Sequence, residues 1–397
     1  MKDYSSVKKW LICISIFACG SIATLVSPIV QTLANAFPDV AMSTVRSITT
    51  IPSLISFICG LFLATIVGKK IPYKNSILTG MALCLIGGVL PAFWNGKFIY
   101  IILSRTLYGM GFAVFAMRNA IITKAFGVEE SAKWTGYGYF VGNAFSMSFQ
   151  LISGRLGDIN WHYCFFLYLF CAVAFVIILT LFKEPENVEA PAQSETEKKA
   201  SKAAISPRIL PFFLMMLLGT LCLYPFLSSI STFVAERGFG TATRSSWVSS
   251  AYTLGGALFG VNFGRMNKAA GRWVAPIACL SCICGYTSVL LAGNIAPVIL
   301  GGLLCGGGFS WFMLSVIQWA GGISSEGNRT LHMTIISSAV SGGSFISSYF
   351  MAVARKIGSA IPLFETEIEK TFLIGIIIYV VLMILYLVKD FRPQAAK

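Results

Sequence analysis

Apolar residues in this chain neither alternate with polar ones nor form narrow stripes. They run for 20 residues or more between short charged breaks. A helix needs about 20 apolar residues to cross a bilayer, whereas the strands of a membrane barrel alternate apolar and polar. Runs of the helical kind fall near 10–34, 47–68, 75–95, 98–123, 134–154, 161–182, 209–233, 245–264, 273–292, 295–319, 330–353 and 371–388. The uncharged stretch Trp273–Ser325 is too long for one helix and divides into two near Asn294. The pattern predicts an all-α integral membrane protein with twelve transmembrane helices. Lys8 and Lys9 precede the first run, and Ala34-Asn35-Ala36 has the form of a leader cleavage site. That run is longer than the roughly 7–15 apolar residues of a leader, so a retained helix is expected.

Residues 183–208 are the one long polar stretch, rich in Glu, Lys, Ser and Ala with Pro185 and Pro191. Such a composition suits a charged connector. It predicts an N-terminal six-helix half over 1–182, a cytoplasmic linker over 183–208 and a C-terminal six-helix half over 209–397. The halves also match each other. A shift of 197 places Pro28 on Pro225, Gly109 and Gly111 on Gly306 and Gly308, and Glu129 on Glu326. Residues 107–115 and 304–312 agree at five of nine positions at that shift. A shift of 200 brings Gly142, Phe145 and Ser148 onto Gly342, Phe345 and Ser348. Two bundles related by a pseudo-two-fold parallel repeat are therefore expected, with a binding site between them near mid-membrane.

Three motifs sharpen this. Arg105-Thr-Leu-Tyr-Gly109-Met-Gly111 lies in the fourth run. Gly68-Lys69-Lys70 follows the second run and is echoed by Gly271-Arg272 after the eighth. Gly154-x-x-Gly157, followed by Trp161, marks the turn between the fifth and sixth. With the twelve runs and the repeat, these resemble the major facilitator superfamily over essentially the whole chain. The first is similar to that family's R-x-x-x-G-x-G motif. The second is similar to the ends of its G-x-x-x-D-R-x-G-R-[RK] loop, with Thr65 and Ile66 where Asp and Arg stand in the family. The resemblance implies secondary transport by alternating access, and for Arg105 a proton-linked switch as one role.

Composition excludes the other classes. The chain is 56% hydrophobic and only 12% charged, against about 25% charged in soluble domains, and its mean hydropathy is +0.76. Disorder is excluded by 13% aromatic residues. The net charge of +14 would suggest nucleic acid in a soluble protein, but here it follows topology. Twenty of the thirty Lys and Arg fall in segments assigned to the cytoplasm, eight outside and two within the runs. That distribution places both termini in the cytoplasm of a plasma (inner) membrane, and no nucleic-acid partner is expected. The eleven Cys lie in apolar runs without the His or carboxylates of a metal site, so neither metal nor cofactor is expected.

The informative charges are those within the bilayer, where each costs roughly 2.5–3.5 kcal/mol or more. They are Arg105 and Arg118, both in the fourth run, and no Asp or Glu lies mid-helix. Arg105 is too deep to snorkel comfortably. It reads either as an anchor for an anionic substrate or as a packing element bonded to neighbouring helices. Arg118, about 220° further round the helix, does not share its face and is near enough to the cytoplasmic end to snorkel. Pro28 and Pro225 each free a carbonyl, which suits either a gating kink or a substrate contact. Gln31, Tyr224, Tyr108, Trp311 and Asn143 are the further substrate-contact candidates, with Gln150 and Gln318 behind them. Gly109 and Gly111 belong to the gating set. So do cytoplasmic pairs of Lys69 and Lys70 with Glu129 or Glu130, and of Arg265, Lys268 and Arg272 with Glu326.

An enzyme is not expected, because His162 and His332 lie in different halves and no carboxylate cluster accompanies them. The expected function is a secondary active transporter of a small organic solute, an anion, acting as a monomer in the lipid bilayer, with or without a coupling proton or counter-substrate. The alternative is a proton-coupled drug or metabolite efflux antiporter. Against it, the Gly-Pro dipeptide of antiporter relatives is absent from the fifth run, where Phe149-Gln150 stands.

Overall fold

A computed structural model describes residues 5–68, 70–93, 96–184, 209–323, 326–358 and 366–388. Among them, regular structure is helical apart from one isolated bridge between Val67 and Ile71. Twelve helical segments follow the twelve apolar runs. The first is Ser6–Ala36, then come Met42–Ile66 and Tyr73–Phe93. The fourth comprises helices Ile99–Phe112 and Arg118–Phe126 joined by the 3₁₀ turn Ala113–Met117. The fifth is Val128–Ile159, and the sixth, Trp161–Leu181, contains the 3₁₀ turn Phe166–Leu169. Segments seven to twelve are Leu210–Glu236, Ala242–Ala270, Val274–Leu290, Ile295–Ile323, Glu326–Gly358 and Glu367–Val388. Most of the linker, 185–208, lies outside the described residues.

Nine stretches among the described residues are long and apolar enough to cross a membrane. One of them, Ala242–Leu290, carries two helices. The fifth segment is not among the nine, because Asn143, Ser146, Ser148 and Gln150 lower its hydropathy, and the eleventh has no unbroken stretch of described side chains long enough to count. These are the two segments that the shift of 200 superposes.

The chain divides into two compact units, residues 1–188 with 234–250, and 189–233 with 251–397. Inside each, the paired glycines of the repeat have the same job. A Cβ on Gly111 would stand 2.5 Å from the Gly80 carbonyl and 2.8 Å from the Cys84 nitrogen. On Gly308 it would stand 2.7 Å from the Ala278 carbonyl and 3.0 Å from the Cys282 nitrogen. Those distances leave no room for a side chain, so segments three and four, and nine and ten, meet backbone to backbone. Gly109 and Gly306 do the same on the opposite flank, against Pro52 in segment two and Tyr252 in segment eight. The Cys84 thiol donates to the Tyr108 carbonyl at 3.7 Å, and Cys282 donates to Cys305 at 3.8 Å. The loop glycines of the second motif also correspond. Gly68 and Gly271 have φ of +79° and +52°, the left-handed region open to glycine at little cost.

Carboxylates close two helix starts in the first unit. Glu184, just past segment six, accepts the Tyr73 and Lys74 backbone N–H groups, each at 2.7 Å. Asp158, at the far end of segment five, accepts from the Ala242 and Thr243 backbone N–H groups and from the hydroxyls of Thr241 and Thr243. Each carboxylate satisfies donors that a helix N-terminus leaves without a partner.

Candidate functional site

The fourth segment carries both membrane-embedded arginines, and the structure gives them opposite surroundings. Arg105 is only 1% exposed. Its Nη1 donates to the Tyr168 hydroxyl at 2.7 Å, and its guanidinium lies 4.5 Å from the Tyr108 ring centroid and 5.4 Å from that of Tyr168. The two rings meet edge to face at 5.1 Å. The cation is thus solvated by two phenol faces and one hydroxyl rather than by a carboxylate. Gly87 lets segment three approach the Tyr108 and Ser104 backbone, and Gly88 seats the Tyr168 ring. Arg105 Nε and Tyr108 Oη are buried without a hydrogen-bond partner among the described residues. The group is enclosed by segments three, four and six.

Arg118 begins the helix that follows the 3₁₀ turn. It is half-buried, with its guanidinium 5.3 Å from the Phe17 ring centroid and 4.7 Å from that of Tyr139. It does not reach out along the lipid face as a snorkelling side chain would. It lies between segments one and five, where a Cβ on Gly20 would come within 2.9 Å of its Nη1. Gly138 and Gly142 hold Phe17 against segment five, and Asn119 donates to the Tyr139 hydroxyl at 3.1 Å. The two arginines share no neighbour, because they sit on different faces of segment four.

Segment one has a break of its own. Ile22–Ile29, containing Pro28, is a 3₁₀ helix of eight residues, where runs beyond three or four are uncommon and mark hinges. In that geometry residue 28 would donate to the Leu25 carbonyl, and proline has no N–H to give. Ser153 of segment five supplies the missing donor at 2.6 Å. Beside it, Thr24, Ser146 and Gln150 form a hydrogen-bonded polar cluster with contacts of 2.8 to 3.2 Å. Gln31 donates to Asn35 at 2.9 Å, and Asn143 is half-buried on segment five.

In the second unit, Pro225 lies inside an unbroken α-helix. The carbonyl three residues before it, Cys222, accepts from the Tyr286 hydroxyl at 2.7 Å. Tyr224 is half-buried beside Ser344. The Trp311 indole N–H donates to the Phe259 carbonyl at 2.6 Å, and the two rings lie 4.5 Å apart.

At the N-terminal end of segment five, Glu130 accepts from Lys9 at 2.6 Å and from the Trp134 indole at 2.9 Å. It meets Lys9, where pairing with Lys69 or Lys70 was one expectation. Lys9 and Trp134 together hold its carboxyl below the usual range. Lys69 lies outside the described residues, as do the side chains of Glu129 and Glu326. Sequence reasoning missed Arg46, which is 5% exposed in the first turn of segment two. It also missed the Ser153 hydroxyl on the Leu25 carbonyl that Pro28 leaves open. Neither has a local signal, since Arg46 sits at the edge of its run and a cap depends on a distant helix. No group of His, Cys, Asp or Glu suited to a metal is present among the described residues.

The arrangement has known counterparts. No curated protein matches the chain. Among solved structures, the nucleoside transporter NupG is 13% identical, with a TM-score of 0.80 over 96% of this chain and 99% of its own. A D-xylose–proton symporter is 13% identical, with a TM-score of 0.73 over 97% of each chain. An auto-inhibited peptide transporter of the POT family is 13% identical, with a TM-score of 0.75 over 98% of this chain and 99% of its own. At such identities the likeness concerns the fold. The family model described as Major Facilitator Superfamily matches residues 11–245, more than half of the sequence. With its twelve helical segments and glycine-packed helix pairs, the chain belongs to the Major Facilitator Superfamily.

Proposed function

We propose that the protein is a secondary active transporter moving a small organic anion across the plasma membrane by alternating access, with both termini in the cytoplasm. One observation carries the anion: Arg105 and Arg118, the two arginines of segment four, meet no carboxylate among the described residues. Placing positive charge there is costly, and a site kept cationic without a partner favours a negatively charged solute. Six helices on each side of the 183–208 linker form the moving halves. Gln31, Asn143 and Tyr224 are the neutral contacts that orient the solute, with Tyr108 and Trp311 shaping the aromatic surroundings. Pro28 and Pro225, with Gly109 and Gly111, set where helices bend and where they pack. Lys69, Glu129 and Glu326 contribute to closure on the cytoplasmic side, and the monomer is the working unit.

The test is uptake by the purified full-length protein in proteoliposomes, with a panel of labelled carboxylates, phosphate monoesters, neutral polyols and cationic dyes, each with and without a pH gradient. Anions are expected to be carried in preference to the rest. Selective, gradient-driven movement of the dyes would replace this reading with proton-coupled efflux, and uptake of polyols alone would remove the anion.

A further inference from the structure

We infer that Arg118, and not Arg105, is the group that binds the anionic head of the solute, in a subsite bounded by Phe17, Gly20, Asn119 and Tyr139. This rests on the anion reading above and names the residue that carries it. Three observations converge. Arg105 has its guanidinium closed in by Tyr108 and Tyr168 and is 1% exposed, so a solute has no approach to it. Arg118 is half-buried, and none of the described residues accepts a hydrogen bond from it. Its ring contacts are with Phe17 and Tyr139, whose planes stand 69° apart, so the planar guanidinium stacks on one of them at most and the rings leave it N–H donors for an acceptor.

The surroundings define the class of ligand. A guanidinium beside Phe17 and Tyr139 with no acceptor among the described residues offers paired N–H donors, and such a pair fits the two oxygens of a carboxylate or a phosphate monoester. Gly20 keeps the space beside Nη1 clear, since a Cβ there would come within 2.9 Å of it. Asn119 and Tyr139, exposed and hydrogen-bonded to each other, supply a hydroxyl and an amide next to the cation. The subsite also adjoins the moving parts. Arg118 follows directly on the 3₁₀ turn Ala113–Met117, and Gly20 lies two residues before the 3₁₀ helix Ile22–Ile29.

The experiment uses reconstituted full-length protein and labelled succinate, benzoate and glycerol 3-phosphate, with benzamide and glycerol as uncharged counterparts. Arg118→Gln should raise KM for the carried anion about tenfold or more, the loss of a charge-assisted hydrogen-bonded pair. It should also remove discrimination against the uncharged counterpart while kcat changes little. Arg118→Lys should restore part of the affinity. If the Gln variant does not fold, phenylglyoxal labelling of the wild type decides: Arg118 should react and Arg105 should not, and the carried anion should slow the reaction where benzamide or glycerol does not. Unchanged KM in Arg118→Gln, or labelling indifferent to the anion, would overturn the assignment while leaving anion transport standing. If none of the anions is carried or protects, both the subsite and the anion reading fall.

Discussion

Segments one and seven carry a proline at equivalent places, yet one winds as a 3₁₀ helix there and the other stays α-helical. Around Pro28 the chain winds as a 3₁₀ helix for eight residues, whereas Pro225 interrupts nothing in Leu210–Glu236. In the 3₁₀ helix Pro28 leaves the Leu25 carbonyl without a donor and Ser153 supplies one, whereas in the α-helix Pro225 leaves the Leu221 carbonyl, and the Tyr286 hydroxyl bonds the next one, Cys222. The two donors also differ in kind. Ser153 has a short reach, and its helix is drawn close to segment one by Gly138, Gly142 and Gly157. Tyr286 spans a longer gap with a ring that packs on Phe226, Phe372 and Tyr379. Hydroxyls bonded to their own helix occur in both segments, at Ser15, Ser21 and Thr24 in one and at Thr220 and Ser228 in the other, so they do not separate the two. A proline in a helix therefore marks a place where α-helical winding can give way. The neighbouring helix decides whether it does.

The largest expected effect tests the glycine packing that the two units share. Gly111→Val and Gly308→Val would each drive a side chain into backbone, where overpacking costs about 1–3 kcal/mol or more. Both should fail to accumulate or should unfold at much lower temperature. A tolerated Gly308→Val would break the equivalence of the repeats.

Next comes the arginine that has no counterpart in the second half, where Gly302 stands at the shift of 197. Arg105→Leu would leave the buried Tyr168 hydroxyl without its partner, at a cost of about 1–3 kcal/mol. Thermal unfolding should show the loss, and Arg105→Leu combined with Tyr168→Phe should recover part of it.

Ser153→Ala and Tyr286→Phe separate the two proline sites. Each removes one hydrogen bond worth about 1 kcal/mol, so their losses of thermal stability should be similar. Only Ser153→Ala should alter the transport rate, because only the Pro28 segment leaves the α-helix. Equal effects on rate would make segment seven a hinge as well.

The smallest effect is electrostatic. Lys9, with the Trp134 indole, lowers the Glu130 pKa, so the stabilisation it gives is complete above the ordinary carboxylate range and is lost as pH falls through the lowered value. Glu130→Gln should be slightly less stable than the wild type at neutral pH, and the gap should close on acidification. A gap that widened at low pH would contradict the assignment.

The helical segments were legible because lipid imposes one rule on them, a long apolar run with its backbone bonds satisfied internally. Observed ends extend past the apolar runs, as in Val128–Ile159 against 134–154. Hydropathy marks the hydrocarbon, while a helix continues until a cap or a turn stops it. The glycine motifs were legible for a related reason, since two glycines two apart serve two flanks of one helix. The surroundings of the arginines were not legible. Spacing placed Arg105 and Arg118 on different faces of segment four, but which face is enclosed depends on Tyr168, Phe17 and Tyr139, residues distant in sequence.

By itself, the sequence determined that the protein crosses the membrane as helices, where charge is scarce, and that its halves repeat. Burial of backbone and charge in lipid leaves few alternatives. The tertiary structure alone decided that Arg105 is held by two tyrosines, that Arg118 is left half-buried beside two rings, and that the chain is 3₁₀ around Pro28 but α-helical around Pro225. Each of those outcomes is set by a side chain on another helix, and one-dimensional spacing carries no record of that neighbour.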